Sequence, residues 1–405
     1  MRLRTRLGCL LFAAIAGLSF PSVGSAQTTD DLFDARQLHE IRLWINSRDL
    51  AALRVHFDQN TFYPADLHWG DLRVRNVGVR SRGLGSRNPV KLGLLIDVDY
   101  YTTGQQFVGL TSLVLDNIWQ DPSMLREFLT MSFFRHLGQP VPREAFTRLF
   151  INEEYQGLYA VVEDIDAAFV GRVTGDQPVG TLFEYHWQAP FFGEDLGNPT
   201  AYEPLFEPRT HLDDAPSVLW GPIHDLWAAV NDPDEAGWRT RVDEFLDLNQ
   251  MVTQLAIEIY LAENDGLAGY AGMDNFYLYR EPGGRRHRIF PWDKDSTFLQ
   301  FDFSLRQGID TNRLLWRSLA EPDLMALFLD VLTRCASVDR ESAWLANRIE
   351  ETVALVAPAI ADDRLKPVSN EDVGAAVDHL RDFATRRWRF VLEQAASLRP
   401  RGTLP

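Results

Sequence analysis

The sequence predicts an α+β protein made of a strand-rich first part and a helix-rich second part. Short runs in which apolar and polar residues alternate fill most of residues 38–165, and turn residues separate them. That pattern is typical of β-strands with one buried face. From residue 166 to 405 the apolar residues recur mainly at helical spacing. Together these two patterns place a boundary between the parts near residues 163–166.

The first part contains one main helix among its strands. The predicted strands are EIRLWI, ADLHWG, LRVRNVGVRSRG, VKLGLLIDV and SLVLDNI, followed later by AFTRLFIN and GLYAVVED with the turn EEYQ between them. The helix lies in DPSMLREFLTMSFFRHLGQP. Asp121 is placed to cap its N-terminus, Pro122 suits the first helical position, and Gly138 marks its end.

The second part has a helix followed by a hairpin. DLNQMVTQLAIEIYLAEN is amphipathic, with Asp247 as its predicted N-cap. The strand FYLYR, the turn EPGGRR and the strand HRIFPW then read as a hairpin. Two long amphipathic helices are predicted near the end of the chain, and residues 186–222 are predicted to form a long ordered loop.

Composition narrows the function classes. Of the 405 residues, 45% are hydrophobic, so the chain can form a sizeable core. The net charge is −17, which makes nucleic-acid binding a poor candidate function.

Residues 1–26 combine early arginines, a short apolar run and a Ser-Ala end, which predicts a secretory signal cleaved after Ala26; a membrane anchor is the alternative. Residues 27–37 would be a flexible lead-in. We therefore expect an exported protein that has no membrane span once the signal is removed, and the sequence leaves its oligomeric state open.

Three polar residues around the hairpin suggest chemistry. Asp265 follows the helix in a Gly-rich loop, Asn275 precedes the hairpin, and Asp293 follows it. In protein kinases the same order supplies a carboxylate near the acceptor hydroxyl and two ligands for magnesium on the nucleotide. Carboxylate and amide oxygens suit Mg²⁺, and the hairpin can bring Asn275 close to Asp293. Asp295 offers a further carboxylate.

The remaining residues of a kinase-like site would lie in the strand-rich first part. Lys91 would contact the nucleotide phosphates, and Glu127 would orient it through an ion pair. Arg82 and Arg87 lie in a Gly/Ser stretch that could wrap phosphates. Glu163 falls where a connection between two lobes would run, with its backbone able to read adenine.

Other interpretations of these residues remain open from sequence alone. Asp265 and Asn275 also suit turns, and Asp293 with Asp295 could cap a turn. An Asp-x-Asp motif also occurs in sugar-nucleotide glycosyltransferases, but those would need a parallel sheet before the motif. A serine hydrolase is disfavoured because Gly-x-Ser-x-Gly is absent from the sequence.

Several motifs, in order, resemble the CotH kinase family, which is named for a spore coat protein H. They are SRGLGSRNPVK, the segment LREFLTMSFFRHLGQPVPREAFTRLFINEEYQGLYAVVEDID, TLFEYHW, ENDG, DNFYLYR and FPWDKDSTF. The resemblance implies a two-lobed, atypical protein-kinase-like fold that uses ATP with Mg²⁺ or Mn²⁺ to phosphorylate serine on proteins. It implies Asp265 as the catalytic residue, Asp293 and Asn275 as metal ligands, and Lys91 as the lysine of the first motif.

The predicted function is therefore transfer of the γ-phosphoryl group of ATP to Ser or Thr of an envelope or secreted protein, with the chain itself as one acceptor. The alternative is a kinase-like protein that has lost catalysis and serves in surface binding or assembly. Retention of Asp265, Asn275, Asp293 and Lys91 favours the enzyme.

Overall fold

The computed structural model describes residues 27–187 and 190–399. The predicted signal segment, residues 1–26, lies outside the described residues. Among the residues described, no helix combines the length and the apolar character needed to cross a membrane.

The strand-rich part forms a closed barrel of seven strands. Its strands are β1 (His39–Ile45), β2 (Tyr63–Trp69), β3 (Leu72–Ser81), β4 (Leu94–Asp97), β5 (Ser112–Asp116), β6 (Glu144–Ile151) and β7 (Glu154–Val162). Three helices accompany them, α1 (Thr29–Leu32), α2 (Ser47–Val55) and α3 (Arg126–His136). Alternate residues of each strand fill the barrel, as Ile41, Leu43 and Ile45 of β1 do.

The barrel closes where β1 pairs in parallel with β6, and Ile41 lies opposite Leu149. The other strand pairs of the barrel are antiparallel. Closure leaves no exposed sheet edge, which a twisted open sheet would have. The predicted strand content of this part is confirmed, whereas its closure was not predicted. Helices α1 and α2 were also missed, so the prediction of one main helix needs correction. Helix α1 lies within residues 27–37, which were predicted to be a flexible lead-in, and it buries Leu32.

Helix α3 begins later than the sequence predicts. Asp121 does not occupy the N-cap position; its carboxylate instead accepts the N–H groups of Leu125 at 2.6 Å and Arg126 at 2.7 Å. The intervening residues form a turn that Asp121 holds against the helix start. The first helical turn therefore carries Glu127, as expected, without beginning at Pro122.

The second part combines a four-stranded sheet with a layer of helices. The sheet has the order β11-β10-β8-β9. In chain order the elements are α4 (Ala167–Thr174), β8 (Thr181–Tyr185), β9 (Phe206–Pro208), α5 (Pro216–Leu219), α6 (Gly221–Asn231), α7 (Trp238–Asp243), α8 (Leu248–Tyr260), β10 (Phe276–Arg280), β11 (His287–Pro291), α9 (Arg313–Ala320), α10 (Pro322–Ser342), α11 (Trp344–Asp362) and α12 (Asn370–Leu398). Asp247 caps α8 as predicted, because its carboxylate accepts the N–H of Gln250 at 3.1 Å.

A shared apolar core holds the barrel against the sheet. Val114 and Val162 on the outer face of the barrel pack with Tyr277, Phe290 and Trp292 of the hairpin. Burial of such large side chains stabilises the contact by roughly 1.5–3 kcal/mol for each. The contact fixes the ends of β10 and β11 opposite the barrel, which creates a cleft between the two parts. That these parts correspond to the two lobes of a kinase remains a prediction.

Candidate active site

A cleft of about 640 Å³ lies between the barrel and the four-stranded sheet. One wall comes from the barrel and includes Arg82, Gly83 and Asp116. The opposite wall comes from the hairpin and includes Asn275 and Asp293. The cleft thus collects residues that lie far apart in the sequence, and several of them were predicted as site residues.

The hairpin brings Asn275 and Asp293 to the same end of the sheet. Asn275 directly precedes β10, and Asp293 follows β11 after Trp292. Phe276 pairs with Pro291, and the N–H of Trp292 donates to the carbonyl of Asn275 at 3.1 Å. Both Asn275 and Asp293 have left-handed backbones, with φ of 57° and 49°. Non-glycine residues in this conformation carry strain and are frequent at functional sites.

Asp265 lies in direct contact with Asn275. The side-chain nitrogen Nδ2 of Asn275 donates to the Asp265 carbonyl at 3.0 Å and to its carboxylate Oδ2 at 3.2 Å. The N–H of Asp265 in turn donates to Glu263 Oε1 at 2.7 Å. Because these bonds restrain both the backbone and the side chain of Asp265, its carboxylate is held in one orientation beside Asn275.

A buried lysine supports the loop that carries Asp265. Lys294 is fully buried, and its ammonium lies 3.1 Å from Glu258 Oε1. The other carboxylate oxygen of Glu258 accepts the N–H of Leu267 at 2.8 Å. Although burial opposes the charge of Lys294, the carboxylates of Glu258 and Glu263 outweigh burial and raise the pKa of the lysine. The loop after α8 is therefore tied to the segment after β11 through a buried ion pair.

Carboxyl groups cluster at the inner end of the cleft. Asp116, Glu127 and Asp295 line a small cavity of about 20 Å³, and Asp116 also lines the main cleft. Burial and then Asp116 raise the pKa of Asp293 to about 6. Burial also raises the pKa of Glu127 and that of Asp295 well above their usual range, with Asp293 contributing to both. Carboxylates whose charge is this poorly compensated form a donor set that suits a divalent cation with oxygen ligands.

Arg82 is the cation that faces these carboxylates across the cleft. Burial disfavours its charge, but Asp116, Glu184 and Asp293 outweigh burial, and the pKa of Arg82 is raised. Its guanidinium lies 5.3 Å from the centre of the Trp292 ring, and the backbone N–H of Arg82 donates to the carbonyl of Gly93 at 2.9 Å. The structure places Arg82 in the same cleft as Asn275 and Asp293. Its predicted contact with phosphates stays a prediction.

Arg87 also lines the cleft, but its guanidinium is engaged by its own loop. Nη2 donates to the carbonyls of Ser81 and Gln59, each at 2.8 Å, and to Asn60 Oδ1 at 2.9 Å. These bonds close the loop that carries Arg82 against the barrel. Arg87 therefore positions this loop in the described structure.

The structure does not pair Lys91 with Glu127 as the sequence predicted. Lys91 is fully buried, and its ammonium donates to Asp363 Oδ2 at 2.7 Å and to the carbonyl of Leu158 at 2.9 Å. It precedes β4 rather than lying in that strand, and its ion pair joins the barrel to the end of α11. Contact with a nucleotide phosphate would require breaking this pair.

The same ion pair explains part of the motif Asn-x-x-Tyr-x-Gly-x-Tyr, residues 152–159. Gly157 has φ of 111°, and a Cβ added there would lie 2.3 Å from the carboxylate of Asp363. The hydroxyl of Tyr155 donates to the carbonyl of Ala359, and that of Tyr159 donates to Leu92. The motif therefore serves to dock helix α11 onto the barrel, and glycine is needed for the close approach.

Glu163 is held in an ion-pair network outside the residues that line the cleft. Its carboxylate oxygens accept Arg143 Nη2 at 2.7 Å and Arg172 Nη2 at 2.5 Å, and its N–H donates to the carbonyl of Arg143 at 2.9 Å. The backbone of this connection was expected to read adenine, and the N–H of Glu163 is already bonded to Arg143. The network fixes the connection between the barrel and α4.

Sequence reasoning missed several charged residues of the cleft, among them Asp116, Glu184 and Arg209. Asp116 ends β5, Glu184 lies in β8, and Arg209 follows β9. Arg209 Nη1 donates to Glu184 Oε2 at 3.1 Å. An available signal was the acidic end of the strand SLVLDNI, since polar residues at strand ends frequently line sites. No local sequence pattern predicted Arg209 as a cleft residue, because it follows a strand of only three residues.

Two known proteins resemble the chain over long stretches. It is 22% identical to "Inner spore coat protein H" of Bacillus subtilis over 367 residues, which cover 88% of this chain and 97% of that protein. It is also 24% identical to "Invasin CotH2" of Rhizopus delemar over 276 residues, which cover 62% of this chain and 45% of the invasin.

A family comparison agrees with the motifs. The family described as CotH kinase protein matches residues 79–391. This range includes the barrel from the end of its third strand onward, the cleft residues Asn275 and Asp293, Asp265 in contact with Asn275, and most of the helical layer. The resemblance expected from the motifs is thereby confirmed, and the chain belongs to the CotH kinase family.

Proposed function

We propose that the chain is a protein kinase that transfers the γ-phosphoryl group of ATP to a serine or threonine hydroxyl. The observation that carries the proposal is the meeting of Asp265, Asn275 and Asp293 beside one cleft whose opposite wall carries Arg82. Phosphoryl transfer depends mainly on positioning and on compensation of phosphate charge, which is what these residue types supply.

The residues present fit a bound Mg²⁺ or Mn²⁺. Asn275 uses its Nδ2 to hold Asp265, which leaves its amide oxygen for a cation, and Asp293 offers a carboxylate. Asp295 lies close behind and could bind through water. When bound, the cation would neutralise charge on the transferring phosphate. The excess of carboxylates around Asp116 supports this assignment.

The residues around the cleft then have distinct roles. Asp265 would orient the acceptor hydroxyl and accept its proton at the carboxylate. Arg82, with five donors in a rigid fork, would bind phosphate oxygens in place of Lys91, which is engaged by Asp363. Glu127 has a raised pKa and adds to the acidic wall rather than pairing with a lysine.

The acceptor would be a protein of the cell envelope or the secreted fraction, and the chain itself would be one acceptor. Two observations support this part of the proposal, the signal-like start of the sequence and the similarity to a protein named for the spore coat. Both point to a location outside the cytoplasm.

Replacing Asp265 with asparagine tests the catalytic assignment. We expect labelling from γ-radiolabelled ATP with Mn²⁺ or Mg²⁺ to fall by about 10²-fold or more, because the acceptor proton loses its base. Binding of ATP should change little. The matched control is Asp213→Asn on an exposed loop, which should label as the parent does. Equal labelling of the Asp265 variant and the parent would refute this role.

Replacing Arg82 with methionine tests the phosphate contact. A charge-assisted hydrogen bond contributes about 1.5–3 kcal/mol, so we expect the Kd for ATP to rise by roughly ten-fold or more. Arg82→Lys should recover part of the affinity. Arg73→Met, on the exposed outer face of β3, is the control. Competition with a fluorescent nucleotide measures all three, and equal affinity of the Arg82→Met and Arg73→Met variants would contradict the assignment.

A binding or assembly function without catalysis is the second candidate. It is favoured by the ion pair of Lys91 with Asp363, which removes from the cleft the lysine that kinases use on phosphates. The relatives are also named as a coat protein and an invasin. This function would give neither labelling nor thermal stabilisation by ATP with Mg²⁺ or Mn²⁺, in the parent as in the variants.

A further inference from the structure

Three metal-ligating side chains share one face of the ribbon formed by β8 and β9. Glu184 and His186 are two residues apart along the chain, so they point to the same side of the sheet. Glu207 on β9 lies directly opposite Glu184, and the N–H of His186 donates to the carbonyl of Leu205 at 2.8 Å. One ligand atom from each of the three lies within 4.8 Å of the others.

The position of this group separates it from Asn275 and Asp293. All of these residues line the same cleft, but the strand order places β8 and β9 on the far side of β10 from β11. With strands about 4.8 Å apart, a cation between β8 and β9 would lie roughly 10–14 Å from one held at the end of β11. One ion cannot serve both groups.

The donor set has the chemistry of a transition-metal site. Two carboxylate oxygens with one imidazole nitrogen suit Zn²⁺ or Mn²⁺, and two negative ligands balance a dication. A site with three protein ligands keeps at least one position open, and here that position would face the cleft. We propose that Glu184, His186 and Glu207 form a second divalent-metal site, for Zn²⁺ or Mn²⁺, at the outer end of the cleft.

The contacts already present show how the site would fill. His186 Nε2 lies 2.5 Å from Glu207 Oε2, so a proton shared there would give way to the metal. Glu184 Oε2 accepts Arg209 Nη1 at 3.1 Å, which leaves its second oxygen for ligation. Arg209 also lies 3.6 Å from Asp164, a carboxylate outside the group, so its charge is divided between two acids. Arg80 and Arg82, at the cleft wall, are further cations near the group: Arg80 lowers the pKa of Glu207, and Glu184 raises that of Arg82.

The test is metal binding by the full chain without nucleotide. The chelator-treated protein is titrated with ZnCl₂ and with MnCl₂ by calorimetry, and bound metal is counted after gel filtration. We expect one equivalent of Zn²⁺ in the parent and in Asp293→Asn, since that substitution affects only the other group. His186→Gln and Glu207→Gln should each weaken binding by at least ten-fold. Both residues are partly or fully exposed, so these variants should fold.

His224→Gln supplies the matched control. His224 lies in α6 near Asp195 and Asp225, at 3.9 Å and 3.6 Å, and does not belong to the group of Glu184, His186 and Glu207. Its loss should leave Zn²⁺ binding unchanged. Equal binding by the His186→Gln variant and the parent, or the lack of any equivalent in the parent, would overturn the proposal and leave a simple His186–Glu207 ion pair. Since neither ATP nor phosphoryl transfer enters the assay, its outcome is independent of the proposed kinase activity.

Discussion

Replacing Asp293 with asparagine is expected to abolish phosphoryl transfer while making the nucleotide-free protein more stable. The loss of activity should be about 10³-fold or more, because the side chain proposed to hold the cation loses its charge and electrostatic stabilisation of phosphate charge is usually the largest catalytic contribution. The gain in stability has a separate cause. Asp293 lies beside Asp116 and Asp295, and the substitution removes one of these mutually repelling carboxylates.

The gain in stability should depend on pH in a definite direction. The pKa of Asp293 is raised to about 6 in the folded protein, above the value of roughly 3.9 of an unfolded chain. The folded state therefore holds this proton more tightly. The contribution of protonated Asp293 to the stability of the folded state is fully present below about pH 4 and is lost as the pH rises through about 6. The parent should lose stability over this window, and Asp293→Asn should lose less.

Thermal and urea unfolding from pH 4 to 8 in chelator measure this difference. Surrounding protein atoms raise the pKa of Asp293, but its side chain is exposed to solvent in the cleft, so screening by water should limit the gain at pH 7 to about 1 kcal/mol or less. Addition of Mg²⁺ with ATP should stabilise the parent and not the variant. Asp213→Asn is the control for loss of one exposed charge. A variant that is stabilised by Mg²⁺ and ATP as much as the parent would contradict the metal-binding role.

Replacing Lys91 with methionine should cost about 3–5 kcal/mol of unfolding free energy. The substitution leaves Asp363 fully buried without its cation, and breaking one side of a buried ion pair has costs of this size. Asp363 also accepts the N–H of Leu158 at 3.1 Å, so the substitution should also weaken the contact between the barrel and α11. The proposal that Arg82 binds the phosphates predicts little change in ATP affinity for the fraction that stays folded.

A second lysine serves as the control for Lys91→Met, and a double variant tests whether the lost ion pair is the cause. Lys366 is only half-buried and donates to the carbonyls of Ile360 and Asp363, so Lys366→Met should cost about 1 kcal/mol. Combining Lys91→Met with Asp363→Asn removes both charges and should recover much of the loss, which urea unfolding would reveal as a coupling energy. If Lys91→Met kept the parental stability yet no longer bound ATP, the phosphate-contact role predicted from the sequence would be restored.

Local patterns predicted those parts of the site that depend on neighbouring residues. The hairpin between Asn275 and Asp293 follows from two alternating segments around a Gly-rich turn, and its register brings both residues to one end. The cap at Asp247 was also predicted from local pattern, whereas the hydrogen bond between Asn275 and Asp265 was not. Turn chemistry and side-chain period act over a few residues, so the sequence is sufficient to predict the hairpin and the cap.

The sequence by itself determined the strand-rich and helix-rich parts, the hairpin and the ordered motifs that identify the family. Only the tertiary structure decided that the strands close through the parallel pairing of β1 with β6, and that Lys91 meets Asp363, 272 positions further along the chain. It also decided that Arg82 is the cation facing Asp293. Apolar periodicity records which face of an element is buried but not which element covers it. A buried charge takes whichever partner the packing of distant elements brings within reach.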